Sequence, residues 1–206
     1  MEIQEFNPIH QDVTPVFDIV AMAASADGLK ALSTILSAFP PNFSVPIVVV
    51  KHLAPQYPSY LSAILNSSTS LRVKQAEDGE QLYPCTVYIA PPNYHLLVNS
   101  KGGLHLSQSA KVHFSRPSAD VLFLSVAEHY KERAIAVVLT GGDSDGSTGV
   151  QAIKQMGGIV IAQDEATSKV FGMPAAAIKT GCVDFILPIN EISTAIINLV
   201  TTGKLQ

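Results

Sequence analysis

Three side chains, Ser25, His52 and Asp145, each stand just after a short run of apolar residues. Ser25 follows Phe17–Ala23 (FDIVAMA), His52 closes Pro46–His52 (PIVVVKH), and Asp145 lies in the glycine-rich turn behind Ala134–Leu139 (AIAVVL). A hydroxyl, an imidazole and a carboxylate are the parts of a nucleophile, a general base and the group that orients the base. The imidazole would take the serine proton, and the carboxylate would hold the imidazole tautomer. The chain order Ser…His…Asp differs from the Ser…Asp…His of α/β-hydrolases, but such a constellation is defined by geometry rather than order.

Each residue also has a purely structural reading. Ser25 directly precedes a helical pattern with Asp27 in its first turn, so an N-cap role accounts for it. The two roles coexist where a helix N-terminus stabilises an anionic intermediate. His52 is a strand-end histidine, and Asp145 beside Gly146 fits a turn. The turn Gly141-Gly142-Asp143-Ser144-Asp145-Gly146 is not a P-loop, because no G-x-x-x-x-G-K-[ST] lies on it. A calcium loop starting at Asp143 would need an acidic or amide residue and a glycine where Ser147 and Thr148 stand. An aspartyl phosphotransferase places its first Asp at the strand end, whereas Gly141-Gly142 intervene here. Backbone amides in such a turn, Gly142 among them, are candidate donors to an oxyanion. His95, His105 and His113, in or near the hairpin, lack the spacing of metal ligands, His129 lies near a helix end where a positive charge suits the dipole, and no metal site is expected.

The elements that must position these residues alternate regularly. Uninterrupted apolar runs at 17–23, 46–52, 86–90, 134–139, 158–162 and 184–187 read as buried strands. Helical periods intervene: Leu29, Leu32, Ile35 and Leu36; Leu61, Ile64 and Leu65, with Pro58 in the first turn; 118–130 with Ser118 as N-cap and Asp120 near the positive end of the dipole. Further helices follow after the glycine-rich turn 141–149, with Val150, Ile153 and Met156 inward, at 174–180 and at about 191–201. His95–Val98 and Leu104–Ser107 flank Asn99–Gly103 as a hairpin, with Gly102-Gly103 at its turn. This pattern predicts an α/β fold, a mostly parallel sheet covered on both faces. In such a sheet ligands bind outside the carboxyl ends of the strands, where Ser25, His52 and Asp145 all fall.

Composition narrows the function classes. Hydrophobic residues make up 47% and charged residues 15%, which suits a packed core and not a disordered chain. Thirteen basic against 17 acidic residues leave a net charge of −4, so no nucleic-acid partner is expected. The longest apolar runs fall far short of the roughly 20 residues of a spanning helix, so membrane insertion is not expected. Cys85 and Cys182 read as buried free thiols in a reducing compartment. The acidic start Met1-Glu2-Ile3-Gln4-Glu5 lacks the features of a signal peptide, which together with the thiols predicts a cytoplasmic protein.

With these residues in place, the chain resembles the catalytic domain of the chemotaxis protein-glutamate methylesterases, the CheB family, from about Phe17 to Val200. The blocks that carry the resemblance are A-A-S-A-D-G at 23–28, K-H-L-A-P at 51–55, A-E-D-G-E at 76–80 and Y-I-A-P-P-N-Y-H at 88–95. S-R-P-S-A-D-V-L-F at 115–123, L-T-G-G-D-S-D-G at 139–146 and A-Q-D-E-A-T-S-K-V-F-G-M-P at 162–174 continue it. The resemblance implies a three-layer α/β/α sandwich, Rossmann-like, with Ser25 as nucleophile, His52 as base and Asp145 as triad carboxylate. It also implies hydrolysis of glutamate γ-methyl esters on chemoreceptor cytoplasmic domains with release of methanol, glutamine deamidation in some members, and no cofactor. The family usually reads G-A-S-T-G-G and L-T-G-M-G-x-D-G. Here Ala23, Ala26 and Asp27 depart from the first block, and Gly142 and Asp143 from the second. Asp27 and Asp143 are expected to set negative charge near a developing oxyanion, beside the vicinity residues Ala26 and Gly142.

Residues 1–16 read as a tail or linker remnant and 17–202 as one catalytic domain. Sixteen residues cannot form the receiver domain of regulatory members. The expectation is therefore constitutive activity, control in trans by a separate response regulator or chemosensory protein, or a fragment of a longer chain. A catalytically inactive docking module and an esterase for another substrate are the competing readings.

Overall fold

The computed structural model describes residues 16–53 and 59–205. Its apolar runs become strands β1 (Ile19–Ala24), β2 (Ile47–Lys51), β3 (Arg72–Gln75), β4 (Thr86–Ile89), β7 (Ala134–Val138), β8 (Ile159–Gln163) and β9 (Phe185–Leu187). They form one parallel sheet in the order β3-β4-β2-β1-β7-β8-β9. Strands β5 (His95–Val98) and β6 (Leu104–Ser107) pair as a separate antiparallel hairpin, whose turn places Gly102 at φ +72°. Helices α1 (Gly28–Leu36), α2 (Leu61–Asn66) and α6 (Ile189–Thr202) cover one face. Helices α3 (Ala119–Tyr130), α4 (Ser147–Gln155) and α5 (Gly172–Lys179) cover the other, together with the hairpin.

Two cores result because successive strand residues point to opposite faces. In β1, Val20, Met22 and Ala24 join Leu32, Ile35 and Ile196, whereas Ile19, Ala21 and Ala23 join Phe123, Val126 and Ile153. This is the sheet covered on both faces that the alternating pattern predicts, in the three-layer α/β/α form that the resemblance implies. The strand order reverses at β1, since β2 leaves it on one side and β7 on the other. The crevice at such a reversal is where an open α/β sheet binds ligands.

Several local expectations need correction. Strand β3 was not anticipated, because Arg72–Gln75 reads as polar and only Val73 of its four residues is buried. Met156 is 48% exposed because it stands beyond the last turn of α4, and Ile64 is 46% exposed because the six-residue α2 buries only Leu61 and Leu65. Cys85 and Cys182 are free but only partly buried. Of the expected tail at 1–16, residues 1–15 lie outside the described residues, as does Pro58, while the Val16 N–H donates to the Val200 carbonyl at 3.2 Å.

Candidate active site

The turn behind β1 begins at Ser25, whose N–H continues the sheet by donating to the Thr140 carbonyl at 2.9 Å. Helix α1 starts only at Gly28, and its cap residue is Asp27, held left-handed at φ 59° with no side-chain capping bond. Ser25 is therefore not the N-cap, and Asp27 is not in the first turn. The chain uses Ala26 and Asp27 to swing from strand to helix, which leaves the Ser25 hydroxyl free to face across the sheet edge. Close packing of this turn requires Gly28, since a Cβ there would stand 2.7 Å from the Ala24 Cβ.

His52 continues β2, its N–H donating to the Ala24 carbonyl at 3.1 Å. That bond sets the ring beside Ser25. Nδ1 of His52 lies 3.1 Å from Ser25 Oγ, and Nε2 lies 2.8 Å from Asp145 Oδ2. An ionised carboxylate only accepts, so Nε2 carries the ring hydrogen and Nδ1 offers its lone pair to the serine hydroxyl. The structure thus brings all three expected side chains into one line at the carboxyl edge of β1, β2 and β7.

Asp145 is more than a turn residue. It is 1% exposed, and the N-terminus of α3 closes on its carboxylate. Oδ1 accepts the Ser118 hydroxyl at 2.7 Å and the Asp120 N–H at 3.0 Å, and Oδ2 accepts the Ala119 N–H at 2.6 Å. Burial pushes the Asp145 carboxyl up, but the bonds from His52, the Asp120 N–H, Ser118 and the Ala119 N–H together hold it below the ordinary carboxylate range. Ser118 does occupy the N-cap position of α3, yet its hydroxyl serves Asp145 and makes no capping bond. Asp120 stands in the first turn of α3, as expected. It is buried, its Oδ1 accepts the Gly149 N–H at 2.7 Å, and burial pushes its carboxyl up.

The glycine turn runs against Ser25. A Cβ on Gly141 would stand 2.1 Å from Met173 Sδ and 2.9 Å from Ser25 Cβ, so only glycine fits there. Gly142 and Ala26 are both exposed at this edge, and neither N–H has an acceptor among the described residues. Thr140 ties the surrounding turns together: its Oγ1 lies 3.1 Å from both the Ala26 and Val170 carbonyls, and its N–H donates to Gln163 Oε1 at 2.9 Å. Nothing in the spacing of Thr140, Gln163 or Ser118 singled them out as supports of the site. Their shared signal was membership in blocks 139–146, 162–174 and 115–123.

The two acidic departures separate. Asp27 lines a cavity of about 310 Å³ with Lys30, Thr140, Gln163 and Lys169, and neither Ser25 nor His52 belongs to its lining. Asp143 instead turns toward the histidine, with Oδ2 3.3 Å from His52 Nδ1. Other blocks serve the frame. Asp78 accepts the Leu106 N–H at 2.8 Å to anchor the hairpin, and Arg116 donates to Asn93 Oδ1 and to the carbonyls of Gln108 and Ser109. His95 is buried with Nε2 3.1 Å from the Ala110 carbonyl. The described residues contain no group of three or more His, Cys, Asp or Glu able to hold a metal ion, and no helix long and apolar enough to cross a membrane.

An α/β protein with serine, histidine and aspartate aligned at the reversal of a parallel sheet is built like a serine hydrolase. The family model described as CheB methylesterase matches residues 20–196, and the chain belongs to that family. A Thermotoga maritima protein named protein-glutamate methylesterase/protein-glutamine glutaminase is 42% identical over 185 residues, covering 88% of this chain and 54% of that protein. A Leptospira interrogans protein provisionally given the same name is 38% identical over 183 residues, covering 89% of this chain and 95% of that protein. The chain thus spans nearly the whole of one relative and about half of the other. The crystal structure of the Thermotoga maritima CheB methylesterase catalytic domain superposes with a TM-score of 0.86 at 41% identity, covering 89% of this chain and 99% of that one.

Proposed function

We propose that this chain hydrolyses glutamate γ-methyl esters on the cytoplasmic domains of chemoreceptors, with Ser25 as nucleophile, His52 as base and then acid, and Asp145 as the orienting carboxylate. The observation that carries this reading is the relay from Ser25 Oγ to His52 Nδ1 at 3.1 Å and from Nε2 to Asp145 at 2.8 Å. Ser25 Oγ attacks the ester carbonyl carbon while its proton passes to Nδ1. The Ala26 and Gly142 N–H groups, which have no acceptor among the described residues, would donate to the resulting oxyanion. Collapse breaks the bond to the methoxy oxygen, and His52 delivers its proton to that oxygen, releasing methanol. Water then attacks the acyl carbon and gives a proton to His52; collapse breaks the bond to Ser25 Oγ, His52 returns that proton to Oγ, and the released γ-carboxylic acid loses its own proton to solvent. A glutamine side chain follows the same course with ammonia as leaving group. No step requires a cofactor.

Residues 17–202 would form the catalytic domain, working in the cytoplasm, where receptor methylation sites and a separate regulator would be accessible. The test is methanol release from a methylated chemoreceptor cytoplasmic fragment, comparing the native chain with Ser25→Ala. Serine-dependent release with the fold unchanged by circular dichroism is the expected result. Equal release by both proteins refutes the nucleophile. Silence from the native chain, with the fragment still bound, replaces the esterase by a docking module.

A further inference from the structure

The segment between β6 and α3 contains a tight turn whose tip the fold does not explain. Val112 and Ser115 exchange backbone bonds, the Ser115 N–H donating at 2.8 Å and the Val112 N–H at 3.2 Å. The two residues between them, His113 at φ 48° and Phe114 at φ 62°, are both left-handed. Two positive φ values in a two-residue hairpin turn ordinarily select Asn and Gly, and a bulky side chain there is strained. Phe114 recovers none of that cost by packing. It is 96% exposed, more than any other large apolar side chain among the described residues.

The turn is nonetheless firmly held. Across its base Arg116 donates to the carbonyls of Gln108 and Ser109 and to Asn93 Oδ1, and His113 Nε2 lies 3.3 Å from Asp120 Oδ2. A bare aromatic on a rigid mount suits binding, because it offers a large contact area at little cost in lost freedom. Its place in the fold says what it meets. Phe114 lines a cavity of about 80 Å³ together with His52, Leu53, Lys111 and Arg116, so a chain presented to the histidine comes up against this turn. Lys111 is exposed and has no carboxylate partner among the described residues, and the partners of Arg116 there are all uncharged. The carboxylates beside the ring, Asp143 and Asp145, do not line this cavity.

We propose that Phe114, with Lys111 and Arg116 beside it, is the docking surface for the receptor segment that carries the glutamyl ester. The ring takes an apolar patch of that segment, and the two cations take its carboxylates. The identity of this partner rests on the esterase reading of Ser25. Its chemistry fits the surface, because every ester hydrolysed leaves a carboxylate on the same segment.

The test uses the full chain and Phe114→Asn, which removes the ring while suiting the left-handed turn. Phe114→Tyr keeps the ring. Two readouts are taken with the methylated receptor fragment: Kd by titration calorimetry on chains that also carry Ser25→Ala, and KM and kcat for methanol release with Ser25 present. Phe114→Asn should raise Kd and KM together by about 10- to 100-fold, the loss falling on KM rather than kcat. Phe114→Tyr should stay within about threefold of the native chain. Lys111→Gln should raise Kd about two- to fivefold at low salt, a difference that 1 M salt removes. Native affinity in Phe114→Asn overturns the proposal, as does a fragment that the native chain does not bind. Weaker binding by Phe114→Asn, with no ester hydrolysed by either protein that retains Ser25, upholds the docking surface and overturns the esterase reading instead.

Discussion

Replacing Asp145 by Asn separates what holds the carboxylate from what the carboxylate does. Four donors converge on its two oxygens: the Ser118 hydroxyl and Asp120 N–H on Oδ1, the Ala119 N–H and His52 Nε2 on Oδ2. An amide offers one oxygen and one NH2 group, so either rotamer turns NH2 toward a buried backbone N–H, that of Asp120 or of Ala119. One such orphaned donor costs about 1–3 kcal/mol, and losing the charge on the remaining bonds adds to it, for a total of about 2–4 kcal/mol at pH 7. If NH2 faces His52, the ring must present a lone pair at Nε2 and a hydrogen at Nδ1, and then cannot take the serine proton. A loss of about four powers of ten in methanol release is expected, as for a wrong tautomer in a serine triad. The pH dependence provides a second check. The folded-state Asp145 carboxyl is held below its ordinary value, so its stabilisation is complete above the unfolded value of about 3.9 and disappears as pH falls through the folded one. The urea-unfolding gap between native chain and variant should therefore be widest at neutral pH and shrink below about pH 4. A variant within about 0.5 kcal/mol of the native chain at pH 7, the range of an ordinary surface change, would refute the cradle.

Two further outcomes follow from neighbouring residues. Asp120→Asn should raise the urea midpoint at pH 7: burial holds this carboxyl above its ordinary value, so its favourable contribution is complete below about pH 3.9 and lost as pH rises through the folded value. The gain should vanish in acid, and a variant less stable at pH 7 would contradict it. Gly141→Ala should cost about 1–3 kcal/mol and abolish methanol release, because the new Cβ displaces Met173 and Ser25; unchanged release would show that the turn yields without moving the serine.

The layer architecture was legible before any coordinates, because runs such as IVVV at 47–50 and AIAVV at 134–138 are apolar on both faces, as buried parallel strands must be. Strand β3 escaped that test. Its single buried residue, Val73, gives no pattern of its own, and the strand exists because its backbone pairs with β4 from Arg72 to Gln75. The histidine–serine–aspartate set was legible for a related reason: each residue directly follows a recognisable strand or lies in the turn behind one, and parallel strands in register deliver their ends to one edge.

Other features of the site had no local signal. Ser118 and the α3 N-terminus reach Asp145 from 25 to 27 positions away in the chain. Two carboxylates two residues apart, Asp143 and Asp145, meet opposite nitrogens of one ring. The sequence by itself determined the fold class, the sheet edge and the types of the three side chains proposed to carry the reaction, because periodicity and chain direction are local properties. The tertiary structure decided which donors hold Asp145, that Ser25 is not a helix cap, that Asp27 lines a separate cavity and that Asp143 faces the histidine. Those outcomes depend on the angles at which turns leave the sheet and on helix ends brought together from distant segments, and no spacing along the chain encodes them.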